Sequence, residues 1–220
     1  SMNDITPKDT ILKTADRSFG GAISEGGKII IKTQDNNFII VGTSWSGQTG
    51  NLTSINKGQS DISVIKIDSL GNKLWDKSFG TSSYDYGDYA TLTNDGNIFI
   101  LGSSYNANDG DKTNTSLGDI DFWLIKIDNN GNKIWDKIYG TNEFEKSPKI
   151  IKTTDNNYLI FGGQEKLNFS SAKYVVYKIN DAGAIIWNKT FTGGGMDIIN
   201  SATNTIDGGY IFAGTSNSGN

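Results

Sequence analysis

The sequence predicts an all-β fold, a β-propeller built of four-stranded antiparallel blades, and three observations carry that prediction. Short apolar runs alternate with clusters of Asn, Asp, Ser, Thr and Gly, the residues of tight turns. No segment shows a convincing 3.6-residue apolar period. The chain also repeats itself. DISVIKIDSLGNKLWDKSFG (61–80) returns as DFWLIKIDNNGNKIWDKIYG (121–140) and again as KYVVYKINDAGAIIWNKTF (173–191).

The anchors of the repeat keep step. Trp75, Trp135 and Trp187 stand 60 and then 52 residues apart. The series Asp35, Asp95, Asp155, Asp207 and Gly42, Gly102, Gly162, Gly214 follow the same spacing, as do Lys66, Lys126 and Lys178. DRSFG at 16–20 precedes DKSFG at 76–80 by one unit, with Ala15 where Trp would stand.

Each unit reads as four strands. The first is half-apolar, as in KIIIKT (28–33) and KIIKTT (149–154). QDNN, NDGN, TDNN and IDGG follow, where Asn or Gly supplies the positive φ of a two-residue hairpin turn. The second strand (FIIVG, IFILG, YLIFG, YIFAG) is continuously apolar, as suits burial on both faces. Variable loops follow at Ser44–Ser60, Ser104–Ile120 and Gln164–Ala172. The third strand is ISVIKI, FWLIKI or YVVYKI, and its turn holds Gly71, Gly131 or Gly183. The fourth (KLWDKSF, KIWDKIY, IIWNKTF) alternates with the period of a strand buried on one face. Four strands in roughly 50–60 residues fit a propeller blade better than a solenoid coil.

Residues 1–2 read as a cloning remnant and 3–220 as a single propeller domain. Its repeats span about 20–79, 80–139, 140–191 and 192–220, with an N-terminal strand at 10–19. Strands one and two occur four times, strands three and four only three times. Two readings follow. Four blades close alone with the N-terminal strand completing the last, giving a monomer. Or the chain is a segment of a larger ring whose open edge needs a partner, giving a ring-completing homodimer.

Composition excludes several chemistries. With no Cys and no His, disulfides, thiolate nucleophiles, His bases and Cys/His zinc sites are impossible. A net charge of −4 with evenly spread Lys argues against nucleic acid. No apolar run approaches the roughly 18 residues of a membrane span.

The repeated strings, with TIDGGYIFAG (205–214) and the loop NANDGDKTNTSLGDIDFW (106–123), resemble a repeat of secreted surface proteins of Bacteroidetes, cargo of type IX secretion. The resemblance covers Ala15–Gly219. It implies a propeller and a secreted or cell-surface location, the export signal lying outside this piece, and it implies no activity. IDSLGNKLWDKSFG is also similar, more weakly, to the tryptophan-docking repeat of quinoprotein propellers, without that motif's Thr.

Blade topology sends the loops after strands two and four to one rim. There the sequence gathers Trp45, Tyr84, Asp85, Tyr86, Tyr105, Phe144, Glu165 and Phe169 as candidate ligand-binding residues, with Asp109 and Asp111 beside them. The function read from this is a non-catalytic binding or adhesion module recognising glycan or protein. The alternatives are a structural spacer, and a polysaccharide hydrolase or lyase using carboxylate pairs such as Asp85/Asp88 or Glu143/Glu145. Asn108, Asp109, Asp111, Asp119 and Asp121 are the candidate metal ligands, for Ca²⁺; a solvated Asx-rich turn is the alternative. No other cofactor is expected. Trp75, Trp135 and Trp187 read as structural, docking between blades. Lys66 and Lys126 read as surface partners of Asp68 and Asp128.

Overall fold

The computed structural model describes residues 17–165, 172–192 and 197–216. Among them every regular element is a β-strand and no helix occurs. The first meander is β1 (Glu25–Lys32), β2 (Phe38–Ser44), β3 (Asp61–Ile67) and β4 (Lys73–Phe79). The second is β5 (Asp85–Leu92), β6 (Ile98–Tyr105), β7 (Ile120–Ile127) and β8 (Lys133–Tyr139). The third is β9 (Phe144–Lys152), β10 (Tyr158–Glu165), β11 (Ala172–Ile179) and β12 (Ile185–Phe191). A hairpin of β13 (Asp197–Asn204) and β14 (Tyr210–Ser216) follows. Residues 10–16 of the expected N-terminal strand lie outside the described residues, and 17–19 are not in a strand.

The sheets have four, eight and two strands. Within each meander the pairing is antiparallel and sequential. The eight-stranded sheet arises because the second and third meanders share one parallel pair, Ile120 with Phe144.

The turn between the first two strands differs from the two-residue turn expected. Thr33 pairs with Asn37, the Asn36 amide donates back to the Thr33 carbonyl, and Asn36 has φ 60. Three residues therefore form the loop, a type I turn closed by a left-handed residue. The repeated Asp explains the choice: Asp35 accepts from the Thr33 hydroxyl and from the Asn37 side chain and amide. Asp95 and Asp207 take the corresponding hydroxyl and amide bonds, and Asp155 accepts from the Thr153 hydroxyl.

The apolar core lies between successive meanders. Ile39, Val41, Ile62 and Val64 of the first pack with Ile98, Ile100, Trp123 and Ile125 of the second. Phe99, Leu101, Phe122 and Leu124 of the second pack with Tyr158, Ile160 and Tyr177 of the third. This double contact explains why β7 is buried along its whole length, whereas β4 fully buries only Asp76 and Phe79 and β8 only Asp136 and Tyr139. Trp75 rests on Gly131, Trp135 on Gly183, and Trp187 beside Tyr210, each bridging to the next meander or hairpin.

The repeated lysines do not pair with Asp68 and Asp128. Lys66 bonds Asp35 at 2.7 Å and Asn129 of the next meander at 2.6 Å. Lys126 bonds Asp95 and Asp181, both at 2.8 Å. Asp68 and Asp128 instead hold their own turns through Asn72 and Asn132. A carboxylate two positions on in a strand is carried away by the turn; the hairpin loop alongside lies nearer.

Candidate functional site

One structural device recurs at the same place in every first strand. β1 bulges between Gly27 and Ile29, β5 between Gly87 and Tyr89, β9 opposite Phe161–Gly163, and β13 between Ile199 and Ser201. The extra residues include Lys28, Asp88 and Ser147, the last at φ 55. A bulge re-aims the residue it inserts, and all three line one cavity of about 380 Å³.

The repeated glycines make room for these bulges. A Cβ on Gly42 would lie 2.0 Å from the Gly26 carbonyl oxygen, one on Gly102 would lie 2.1 Å from that of Tyr86, and one on Gly162 would lie 2.7 Å from that of Lys146. Gly102→Ala is therefore expected to cost about 3 kcal/mol, the upper end of overpacking, read as a shift of the urea midpoint. A loss under about 0.5 kcal/mol, the range of an ordinary surface change, contradicts the close approach.

Aromatic rings form the cavity wall. Trp45 and Tyr86 meet edge to face at 6.1 Å, and Tyr86 and Tyr105 lie 6.0 Å apart at 59°. Tyr84 stacks on Tyr86 at 6.3 Å and also touches Tyr105, extending the wall outward. Burial and the flanking phenols raise the Tyr86 pKa, so its hydroxyl donates hydrogen bonds and does not act as a base.

Asp88 is the carboxylate among the lining residues. The Ser103 hydroxyl donates to it at 3.1 Å. Burial pushes its pKa up to about 6, against the opposing pull of Ser103, Lys28 and Lys149. Burial lowers the Lys149 pKa in turn, with Asp88 opposing. Desolvation outweighs both ammonium groups because neither makes a direct ion pair with Asp88 among the described contacts. A carboxyl poised near neutrality can give or take a proton under physiological conditions.

The other residues named from sequence fall in four groups. Trp45, Tyr84, Tyr86 and Tyr105 come together in the wall. Phe144 and Glu165 reach the cavity edge through Lys146, which lies 5.6 Å over the Phe144 ring and 2.8 Å from the Glu165 carboxylate. Asp85 is not on the rim. It is fully buried at the start of β5 and accepts from the amide and hydroxyl of Thr81. Phe169 lies outside the described residues. Lys28, Asp88 and Ser147 were missed as a set, because a bulge breaks the alternation by which strand residues are assigned to faces. The recurring Gly of the second strand was their available signal.

Four of the five candidate calcium ligands are each engaged by different partners, and the fifth, Asp119, is exposed. Asn108 accepts from the Ser116 amide, Asp109 from the Ser82 amide, and Asp111 from the Gly80 amide while pairing with Lys57. Asp121 is buried apart from them, accepting from the Leu117 and Gly118 amides. The loop carboxylates fasten the loop to the β4–β5 connection. Among the described residues no three acidic side chains are grouped to hold a metal ion.

No protein-family model and no curated protein matches the chain. Among solved structures it is similar to an alpha-L-arabinofuranosidase from Lactobacillus brevis, with a TM-score of 0.45 and 12% identity over 74% of this chain and 52% of that one. It is also similar to a protein from Bifidobacterium bifidum named as an exo-beta-1,3-galactanase, with a TM-score of 0.42 and 10% identity over 73% and 50%. The chain thus spans about half the length of either. These matches correct the expectation of a non-catalytic adhesion module or spacer: both proteins are named as enzymes. What this cavity can do chemically rests on its own residues.

Proposed function

We propose that the chain is a carbohydrate-active domain in which the cavity holds a saccharide and Asp88 gives its proton to a glycosidic oxygen as the anomeric C–O bond breaks, water adding to the anomeric carbon and its released proton restoring the Asp88 carboxyl. The observation that carries this reading is the convergence of three strand bulges on one aromatic-walled cavity, with a carboxyl of raised pKa among its lining. A pyranose offers an apolar C–H face and a polar edge. Trp45, Tyr86 and Tyr105 suit the first, and Ser103, Ser147, Lys28 and Asp88 suit the second. A concave site with few polar groups and one perturbed carboxyl is the form ligand sites commonly take.

The same reading takes the three meanders and the last hairpin as successive blades of a propeller. The repeated sheet order and the core shared between each meander and the next support it. The resemblance to secreted surface repeats supports a secreted or cell-surface location.

The test is reducing-end release from a panel of plant and microbial polysaccharides, followed on the best substrate by Tyr86→Ala. Truncating the central ring of the wall is expected to raise KM about tenfold, the loss of one good aromatic contact. Absence of turnover across the panel, or a Tyr86→Ala variant with unchanged kinetics, removes the proposal.

A further inference from the structure

We propose that the buried pair Asp121 and Glu145 is a binding site for a hard divalent cation, calcium foremost. The pair lies between the second and third meanders, one residue along the strands from Ile120 and Lys146 of the Asp88 cavity, and the inference does not rest on the saccharide reading.

Both residues are fully buried. One oxygen of each is satisfied by protein: Asp121 Oδ2 accepts from the amides of Leu117 and Gly118, and Glu145 Oε1 from Thr141 Oγ1 and Gln164 Nε2. The other two, Asp121 Oδ1 and Glu145 Oε2, are buried without a partner. They converge. A Cβ on Gly140 would lie 2.1 Å from the first and 2.8 Å from the second, so the chain carries no side chain where the two oxygens meet.

Two buried carboxylates with facing bare oxygens are costly unless a proton or a cation joins them, and a cation can take the place of the proton that burial leaves on Glu145. Lys112 is the nearby ammonium whose field reaches Asp121. Its Nζ is committed elsewhere, to Ser104 Oγ, Tyr105 O and Ser116 Oγ, each at 2.9 Å. Hard cations such as Ca²⁺ take carboxylate oxygens together with carbonyl and water oxygens, which suits a site with two carboxylates and no third acidic group.

The repeat supports the charge requirement. One unit earlier, Asp61 Oδ1 and Asp85 Oδ1 are likewise buried without partners, and Gly80 is crowded by Asp61 Oδ1 at 2.2 Å. One unit later, the position of Asp121 is taken by Lys173, which pairs with Gln164 as Asp121 pairs with Ser104. Where that carboxylate is missing, the same register position carries a lysine.

The test is thermal denaturation and calorimetric titration of the full chain, stripped with chelator and then given Ca²⁺, Mg²⁺ or Na⁺. Saturating Ca²⁺ is expected to raise Tm by roughly 5 °C and to bind with measurable heat. Glu145→Gln and Asp121→Asn, both isosteric, are expected to abolish the shift without lowering the Tm of the stripped protein. Asp109→Asn in the exposed loop is expected to retain it. Overturning results are no heat and no shift with any cation, a shift that survives both buried-site variants, or a shift lost in Asp109→Asn.

Discussion

Trp123→Ala is expected to be the most destabilising truncation of a single side chain in the chain, costing about 4 kcal/mol and lowering Tm by about 10 °C. Trp123 is fully exposed to neither solvent nor loop; it is completely buried where the first and second meanders pack. Its ring touches both apolar layers, and its Nε1 donates to Asp136 at 3.0 Å. Asp136 also holds Thr113 and Lys133, so losing the indole strips one bond from a carboxylate that ties the loop after β6 to β8. Trp75 and Trp135 are only half-buried and should cost about half as much. Urea unfolding checks both expectations. A Trp123→Ala loss no larger than that of Trp75→Ala contradicts the assignment of the core.

Asp88→Asn is expected to lower kcat by about a hundredfold or more while leaving KM nearly unchanged, because the amide keeps the shape and cannot release a proton. The variant is also expected to match the parent's stability at acid pH and to exceed it at alkaline pH. The sign follows from the shift. The folded-state pKa of Asp88 is raised from 3.8 to about 6, so its contribution to stability is fully present below 3.8 and is lost as pH rises through about 6. Asn does not titrate and escapes that loss. The groups that set this window are Lys28 on β1, Ser103 on β6 and Lys149 on β9. Parallel pH–rate and pH–stability profiles of parent and variant test it. Activity that persists in Asp88→Asn, or that rises through pH 6 toward alkaline pH, assigns the proton to another group.

Much of the architecture was legible in the residues. The four-strand unit, its turns and its unequal copy number all follow from apolar runs punctuated by Asn, Asp and Gly, because these are local properties of the chain. Turn closure was misjudged by one residue, since the Asp35 side chain selects a three-residue loop through bonds that propensity alone does not encode. Trp123 escaped notice because it breaks the repeat: Ser63 and Val175 occupy its register in the flanking units, opposite Gly42 and Gly162. The aromatic wall was readable from its loop-flanking positions. The chemistry at its foot was not, because Lys28, Asp88 and Ser147 owe their direction to bulges. The loop position of Asp85 points to the rim, yet the structure buries it against Thr81 and turns Asp88 to the cavity.

A bulge in β5 holds the Asp88 carboxyl in a cavity whose burial raises its pKa. Carboxyl-carbon NMR titration, assigned by the signal missing in Asp88→Asn, measures this directly. A midpoint at about 6 is the expected result; a midpoint at the ordinary value of 3.8 contradicts it.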